Sequence, residues 1–321
     1  MTGETHDFAA RWSRIDRHHS RDLSVTRYVF QPLSRPGIAE GVARTIHVSH
    51  EHESARVLQI GISSQIGCAV SCRFCNYGER FFGQLDADEI ESQACLIADE
   101  QRPVAAQGAL TEYAFFGGGE PMHNFPAVER AIHRIHARDG AARITFSTSC
   151  PARAPNQYRR LMDLGRTIPA LHLQLSGHAT ENRTRRRIIP SPTLTVERIA
   201  ELGENWLAVT GRKPELAFAA ADHYGRRDWP TVQALALVNL FAPTRWRVKI
   251  TPIFPFEDTK AHHADSVNDA HRLFDAVKAA GFDDATLYNP EQGWEIGANC
   301  GQFPAFQDFV RTTRDLRSGS R

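Results

Sequence analysis

The chain has 321 residues of ordinary globular composition, with 41% hydrophobic residues and a formal net charge of +1 at pH 7. That length is enough for one large domain with a substantial core. A charge so close to zero provides no global field that would draw the protein to nucleic acid or to an acidic membrane. The sequence shows neither an apolar stretch of membrane-spanning length nor an apolar signal core, so we expect a cytoplasmic enzyme without membrane contact.

Strand-like apolar runs alternate with helical patterns along most of the chain. Two strand-like runs come first, at 24–30 and 43–48. Six strand–helix units follow, with strands predicted at 57–62, 112–116, 143–146, 170–175, 215–220 and 246–251, and helices at 86–99, 126–136, 155–163, 195–207, 229–240 and 266–280. A last strand at 284–288 and a helix at 304–316 close the chain.

This alternation with short connections predicts an α/β fold in which a parallel sheet carries helices on its outer face. Six units make a partial (β/α)6 TIM-like barrel rather than the closed eight-stranded barrel. We therefore divide the chain into an N-terminal extension (1–55), the partial barrel (56–282) and a C-terminal extension (283–321). In such barrels the catalytic loops follow the carboxyl ends of the strands.

Three of the six cysteines lie in one loop directly after the first barrel strand, with the spacing C-x3-C-x2-C: Cys68, Cys72 and Cys75. Clustered thiols in a chain that lacks a disulfide framework indicate a metal site. Three thiolates can hold three irons of a [4Fe–4S] cube and leave the fourth iron open to S-adenosylmethionine (SAM). An electron from the cluster then cleaves SAM to a 5′-deoxyadenosyl radical. A structural zinc site is the alternative, but its fourth ligand commonly comes from a second C-x2-C or a nearby histidine, and neither follows before His123.

The loop after the second barrel strand agrees with SAM binding. It reads Gly-Gly-Gly-Glu-Pro over residues 117–121. Glycines allow the backbone to approach a ligand closely, and the carboxylate of Glu120 can accept hydrogen bonds from the SAM ammonium. Such a loop by itself is usually a turn, but its place one strand after the cysteines favours a ligand site.

Several motifs resemble those of the Cfr/RlmN-type radical SAM methyltransferases, a family that methylates an adenine of large-subunit ribosomal RNA. The similarity extends from about Val42 to Phe303, and its motifs are 63–68, 117–121 with Asn124, 147–149, 176–179, Arg185 with 188–190, and 298–303. The resemblance implies a SAM site formed by Phe74, Gly119, Glu120, Ser147, Ser176, Gly177 and His178.

The resemblance also assigns a methyl-carrier role to Cys300, in the motif 298–303 (Ala-Asn-Cys-Gly-Gln-Phe). It implies that Cys300 takes a methyl group from one SAM and that the radical from a second SAM abstracts hydrogen from this methyl. The resulting carbon radical adds to an sp2 carbon of the substrate, which is electrophilic and cannot itself attack a sulfonium. The alternative for Cys300 is a buried free thiol.

Four departures from the family pattern suggest that the substrate has changed. Gly61 replaces a second cysteine that frees the carrier from the product, and Arg44 replaces a glutamate proposed as proton acceptor. The segment 253–256 replaces the family's W-N-P-F, and little of the chain precedes Val42, so we expect the N-terminal RNA-binding domain to be mostly missing. Cys150, after the third barrel strand, is a candidate for the missing thiol, with a small loop residue as the alternative.

These features predict a radical SAM methyltransferase that acts on an sp2 carbon of a small-molecule or nucleotide-like substrate, with an electron donor such as flavodoxin or ferredoxin. Methylation of RNA by a trimmed family member is the alternative. The arginine-rich run 183–187 can bind phosphate, although such a run is more often a solvated helix face. A radical SAM enzyme that no longer methylates and a non-catalytic cluster protein are the remaining hypotheses.

We predict that anaerobic reconstitution loads about four irons per chain and that the reduced protein cleaves SAM to 5′-deoxyadenosine. Cys72→Ala removes one of three iron ligands and is expected to abolish both properties, as measured by iron analysis and by chromatography of the nucleoside. Cys95→Ala, in an apolar helix face, is the matched control and is expected to retain both. Tight zinc binding without 5′-deoxyadenosine would contradict the assignment.

Overall fold

The structure, a computed structural model, describes residues 7–50, 53–220, 229–253, 266–288, 293–299 and 301–318. In chain order its strands are β1 (Trp12–His19), β2 (Val25–Pro32), β3 (Ala39–His50), β4 (Glu53–Gly61), β5 (Gln65–Gly67), β6 (Phe81–Gln84), β7 (Leu110–Phe115), β8 (Arg143–Thr148), β9 (Leu171–Ser176), β10 (Glu215–Ala220), β11 (Arg247–Pro252) and β12 (Ala285–Leu287). Its helices are α1 (Ala87–Glu100), α2 (Arg102–Ala105), α3 (Phe125–Arg138), α4 (Pro155–Thr167), α5 (Asn182–Ile188), α6 (Val196–Thr210), α7 (Trp229–Leu240), α8 (Ser266–Ala279) and α9 (Pro304–Ser318). Single 3-10 turns lie at Phe8–Arg11, Asn76–Glu79, Pro121–Asn124 and Trp294–Ile296.

Ten strands form one sheet in the order β1-β2-β3-β4-β7-β8-β9-β10-β11-β12, and β5 pairs with β6 in a separate hairpin. From β4 to β12 all neighbours in the large sheet are parallel, while β1 to β4 pair antiparallel. The predicted partial (β/α)6 barrel is confirmed: β4 and β7 to β11 are its six strands. Strands of both extensions join the same sheet, so the domain boundaries at residues 55 and 282 stay a prediction.

The sequence patterns miss β1 and the β5–β6 hairpin. In β1 only Trp12 is buried, and the other side chains are partly or fully exposed. The hairpin strands have three and four residues. Recognition of strands from sequence depends on a run of alternating buried side chains, which edge strands and very short strands do not provide.

Capping residues and prolines fix where several helices begin. They thereby fix where the loop between a strand and the following helix ends. Asp86 caps α1 in a reciprocal capping box with Glu89. Thr195 caps α6 by accepting from the amide of Arg198. Proline stands in the first turn of both α3 and α4. Within the described residues no helix is both long and apolar enough to cross a membrane.

Two fully buried tryptophans, Trp206 and Trp246, fill the layer between the helices and the sheet. The ring of Trp246 lies directly over Gly203 of α6, where an added Cβ would be 2.0 Å from Cη2 of the ring. A glycine inside a helix ordinarily costs about 1 kcal/mol relative to alanine. Close packing against Trp246 explains why glycine is present here.

We predict that Gly203→Ala lowers the free energy of unfolding of the reconstituted holoenzyme by about 1–3 kcal/mol, because the overpacked Trp246 has to move. Anaerobic urea denaturation followed by circular dichroism measures the change. Gly140→Ala is the matched control, since its added Cβ would have its nearest neighbour at 3.6 Å. Equal stability of Gly203→Ala and the unmodified protein would contradict the packing argument.

Candidate active site

A cavity of about 210 Å³ lies at the carboxyl edge of the parallel strands. Its wall includes nine of the residues singled out from the sequence: Cys68, Cys72, Phe74, Cys75, Gly119, Glu120, Ser147, Ser176 and His178. They belong to segments at or after the ends of β4, β7, β8 and β9. The carboxyl ends of parallel strands meet at one edge of a sheet, so these distant sequence segments share one cavity.

The three cysteines occupy the loop between β5 and the turn at Asn76–Glu79, and each is partly buried. They pack against an apolar cluster formed by Val70, Phe74, Ala179, Ile188, Ile189, Ala219 and Ile253. The amide of Val70 donates to Sγ of Cys68 at 3.5 Å. Burial raises the pKa of the Cys68 thiol to about 12, so iron has to displace its proton on binding.

The donor set fits a [4Fe–4S] cluster. Among the described residues no group of three His, Cys, Asp or Glu side chains is placed to hold one metal ion. A zinc site would gather four ligands around one point. A cube instead takes each thiolate on a separate iron, and all three cysteines line this one cavity.

Glu120 is held firmly at the end of the glycine loop and is 3% exposed. Its Oε1 accepts from the amide of Met122 at 2.9 Å and from Oγ1 of Thr148 at 2.6 Å. Its Oε2 accepts from the amide and the hydroxyl of Ser149 at 2.7 and 2.6 Å. Gly119 before it has φ +97°, and an added Cβ would be 2.6 Å from Cβ of Gln65. Only glycine fits there, and the carboxylate is fixed where it can receive an ammonium group.

Phe74 and His178 face each other across the wall, with ring centroids 5.2 Å apart in an edge-to-face arrangement. Nδ1 of His178 accepts from the amide of Ala219 at 2.9 Å, which places the proton of the neutral ring on Nε2. Ser147 accepts a hydrogen bond from Gln174 at 2.8 Å. The structure thus gives the predicted SAM residues fixed orientations.

Gly177 is the predicted SAM residue that lies behind the described wall. Its amide donates to the carbonyl of Ala217 at 2.9 Å. An added Cβ would be 3.0 Å from Cδ1 of Leu216. Gly177 therefore allows β9 and β10 to approach each other and shapes the loop that carries His178.

Arg185 ties together the loops after β8 and β9. It is 2% exposed and donates to the carbonyls of Ser149, Ser176 and Gly177 at 2.8, 2.9 and 3.1 Å. Burial lowers the pKa of its guanidinium. The other arginines of the run 183–187 are exposed. One arginine of this run is therefore a structural brace, and the others form a solvated face.

Cys150, the candidate for the missing thiol, does not lie in the described cavity wall. Its side chain is 0% exposed and belongs to the main hydrophobic core. Burial raises the pKa of this thiol to about 12. A buried protonated thiol is a poor nucleophile, so the structure supports the alternative of a small loop residue.

Packing and hydrogen bonding account for the two single-residue departures from the family pattern. At Gly61 an added Cβ would be 2.7 Å from Cγ1 of Val42 and 2.9 Å from the ring of Phe116, so a cysteine there would require both side chains to shift. Arg44 lines the cavity and is 4% exposed. It donates to Oδ1 of Asn299 at 2.9 Å and also to the carbonyl of Ala298. Arg44 is thus bound to the segment that precedes Cys300.

Cys300 lies outside the described residues, as do residues 254–256 of the replaced W-N-P-F motif. The residues that follow position 300 are bound to the cysteine loop. The amide and side chain of Asn76 donate to the carbonyls of Gly301 and Gln302 at 2.9 and 2.7 Å. Gly301 has φ +84°, and an added Cβ would be 2.4 Å from the carbonyl oxygen of Phe74. Both flanks of position 300 are therefore anchored at the cavity.

Sequence reasoning missed several cavity residues on the strands and their ends: Arg27, Glu40, Gln59, Gln174, Lys249 and Tyr288. Arg27 and Glu40 form a buried ion pair at 2.7 Å. The signal that could have found one of them is rarity, because Lys249 is one of four lysines among 38 basic residues. A residue type that is rare in the chain and faces the cavity from a strand indicates a function.

A partial barrel with a three-cysteine loop at its catalytic edge defines a radical SAM enzyme, and residues 62–211 match the Radical SAM superfamily. The chain is 33% identical over 257 residues to the dual-specificity RNA methyltransferase RlmN of Syntrophobacter fumaroxidans, covering 76% of this chain and 68% of that protein. It is 26% identical over 283 residues to the RlmN of Parvibaculum lavamentivorans, covering 84% and 67%. The chain belongs to the RlmN/Cfr-type family of radical SAM methyltransferases, and it uses a [4Fe–4S] cluster and SAM.

A solved structure supports the fold. The crystal structure of a radical SAM methyltransferase from Sphaerobacter thermophilus aligns with a TM-score of 0.71 and 23% sequence identity. The alignment covers 92% of this chain and 83% of that chain. The fold is therefore shared over most of the chain.

We predict that Cys150→Ala lowers the free energy of unfolding by about 1 kcal/mol, because it removes a buried sulfur, and leaves turnover unchanged. Denaturation gives the first quantity. Mass spectrometry of the intact protein after turnover checks the second by looking for a substrate adduct on Cys300. Accumulation of that adduct in Cys150→Ala would restore a catalytic role to this thiol.

Proposed function

We propose that the enzyme methylates an sp2 carbon of a small-molecule or nucleotide-like substrate and that Cys300 is the methyl carrier. The observation that carries this proposal is the anchoring of both flanks of position 300. Arg44 binds Ala298 and Asn299 on one side, and Asn76, next to Cys75, binds Gly301 on the other. A carrier thiol has to stay beside the cofactor through two successive reactions, and such anchoring supplies that position.

The cavity residues have separate roles in this proposal. Cys68, Cys72 and Cys75 hold three irons, and when bound the cluster and SAM supply the 5′-deoxyadenosyl radical. Glu120 accepts from the ammonium group of SAM, supported by its bonds from β8. Phe74 and His178 pack beside the adenine, and Gly119, Ser147, Ser176 and Gly177 shape the surrounding loops.

Release of the product needs a thiol, and the described cavity wall has no thiol besides the three cluster ligands. Position 61 is a glycine with Val42 and Phe116 packed against it, and Cys150 is buried in the core. We propose that an external thiolate attacks Sγ of Cys300, so that a disulfide forms as the sulfur–carbon bond of the adduct breaks. The released carbon takes a proton and becomes the methyl group of the product, and a second external thiol reduces the disulfide. The reducing electron for the cluster comes from a donor such as flavodoxin or ferredoxin.

Methylation of RNA is the second candidate function, because the similar curated proteins are named RNA methyltransferases. The chain spans 68% of the length of the first of them. A non-methylating radical SAM enzyme is the third hypothesis, supported by the changes at Gly61 and Arg44. Labelled methyl from SAM separates these three outcomes, because it is recovered in a small molecule, in RNA or in neither.

We predict that Cys300 carries one methyl group in protein purified from cells with an intact cluster, as measured by mass spectrometry of its peptide. Cys72→Ala is expected to lack this methyl, because loading depends on a bound cluster in the resembled family. Cys300→Ala is expected to cleave SAM but to transfer no methyl. Methylated product from Cys300→Ala would remove the carrier role, and methylated adenine in RNA would favour the second candidate.

A further inference from the structure

Lys249 projects into the cavity from β11, at a place where its neighbours leave room. It pairs with Ala217 on β10 and with Thr286 on β12, both of which are small. Its Nζ lies 4.8 Å from the ring centroid of Tyr288 and 5.9 Å from that of Phe116. A half-buried ammonium group therefore faces two aromatic rings inside the cavity.

The ammonium group of Lys249 has donors to spare. A lysine can donate three hydrogen bonds. Within the described residues Lys249 makes one, to Oε1 of Gln174, at the long distance of 3.4 Å. Glu112 feels the charge of Lys249, but that carboxylate already accepts from Gln59 at 2.7 Å and from Thr145 at 2.5 Å and lies 3.3 Å from Arg143.

Other charges of the described wall are already engaged. Arg27 pairs with Glu40 at 2.7 Å. Glu120 accepts four hydrogen bonds, and Arg44 donates to the segment before position 300. A cation with free donors in a partly buried site attracts a negative group more strongly than an exposed one, because water screens it less.

Lys249 also lies near the carrier segment, by which we mean Ala298 and Asn299, the two residues that precede Cys300. Arg44 lies 5.7 Å from the same Tyr288 ring that Lys249 faces. Arg44 is also the residue that binds Ala298 and Asn299. A group held by Lys249 at Tyr288 is therefore near Arg44 and the two residues it binds, Ala298 and Asn299.

We propose that Lys249 binds an anionic group of the substrate, a carboxylate or a phosphate, while the planar ring of the substrate lies against Tyr288 and Phe116. The substrate is then an aromatic or heteroaromatic acid or phosphate. This inference rests on the proposed function, since it places that ring beside the carrier segment. It adds the chemical class of the substrate, which the carrier chemistry alone does not give.

Isothermal titration of the unreduced, cluster-loaded enzyme with SAM tests this inference, using 2-naphthoate, 2-naphthyl phosphate and the uncharged 2-naphthamide. The three probes share one ring and differ in charge and in the anionic group. At least one anion is expected to bind about tenfold more tightly than the amide, as a charge-assisted hydrogen bond provides. The tighter of the two anions identifies a carboxylate or a phosphate site.

Three variants test whether Lys249 causes the preference for the anionic probes. Lys249→Met is expected to bind the anions as weakly as the amide, and Lys249→Arg to keep part of the preference. Lys278→Met removes an exposed ammonium on α8 and is expected to behave like the unmodified enzyme. The inference is overturned if neither anion is preferred, if Lys249→Met keeps the preference, or if that variant weakens all three probes equally.

The methylation state of Cys300, measured on the same preparations, separates this test from the proposed function. Methylated Cys300 without an anion preference removes only the role of Lys249. An anion preference without methyl on Cys300 removes the carrier mechanism and leaves an anion site in the cavity. Methylation of Cys300 in Lys249→Met at the unmodified level shows that the variant has kept its cluster and fold.

Discussion

The catalytic cavity depends on the hydrogen bonds from Asn76 to the carbonyls of Gly301 and Gln302. They connect the residue after the third cysteine to the far end of the chain, more than two hundred positions away. Each buried amide–carbonyl hydrogen bond contributes only about 1 kcal/mol to the free energy of folding. A buried donor or acceptor that is left without a hydrogen bond costs more, which excludes other placements of the loop. The glycine at 301 allows this close approach, since an added Cβ would meet the carbonyl of Phe74 at 2.4 Å.

The residues that precede position 300 are held by Arg44. The family pattern has a glutamate, of opposite charge, at position 44. A glutamate at position 44 would accept hydrogen bonds, whereas Arg44 donates to Asn299 and to the carbonyl of Ala298. A carboxylate cannot replace these two bonds, because the carbonyl offers no proton. The change at position 44 is therefore a change in how the segment is held. The packing at position 61 also differs from that expected for the family's cysteine, since Phe116 and Val42 occupy the space that a side chain would take.

Much of this architecture could be predicted, because buried parallel strands and amphipathic helices leave strong patterns. The six barrel strands, β4 and β7 to β11, and the helices α1, α3, α4, α6, α7 and α8 appear in the sequence close to their structural bounds. β1 does not, because its edge position requires only Trp12 to be buried. The site shows the same division: residues in motifs were predicted, whereas Lys249, Gln174 and Tyr288 were missed. Their role depends on which strand faces they share, and a single sequence does not show that register.

The charge arrangement also explains why a net charge of +1 says little about the substrate. Glu120 lies by the serine loop after β8, and Lys249 lies on β11 by Tyr288, so opposite charges occupy different parts of one cavity. SAM carries its ammonium group at one end, which suits the first region, and an anionic substrate suits the second. Arg44, which also lies beside Tyr288, holds Ala298 and Asn299, the residues that precede Cys300 in the chain. Local separation of charge can thus orient two different ligands within one cavity, which the near-zero sum over the whole chain conceals.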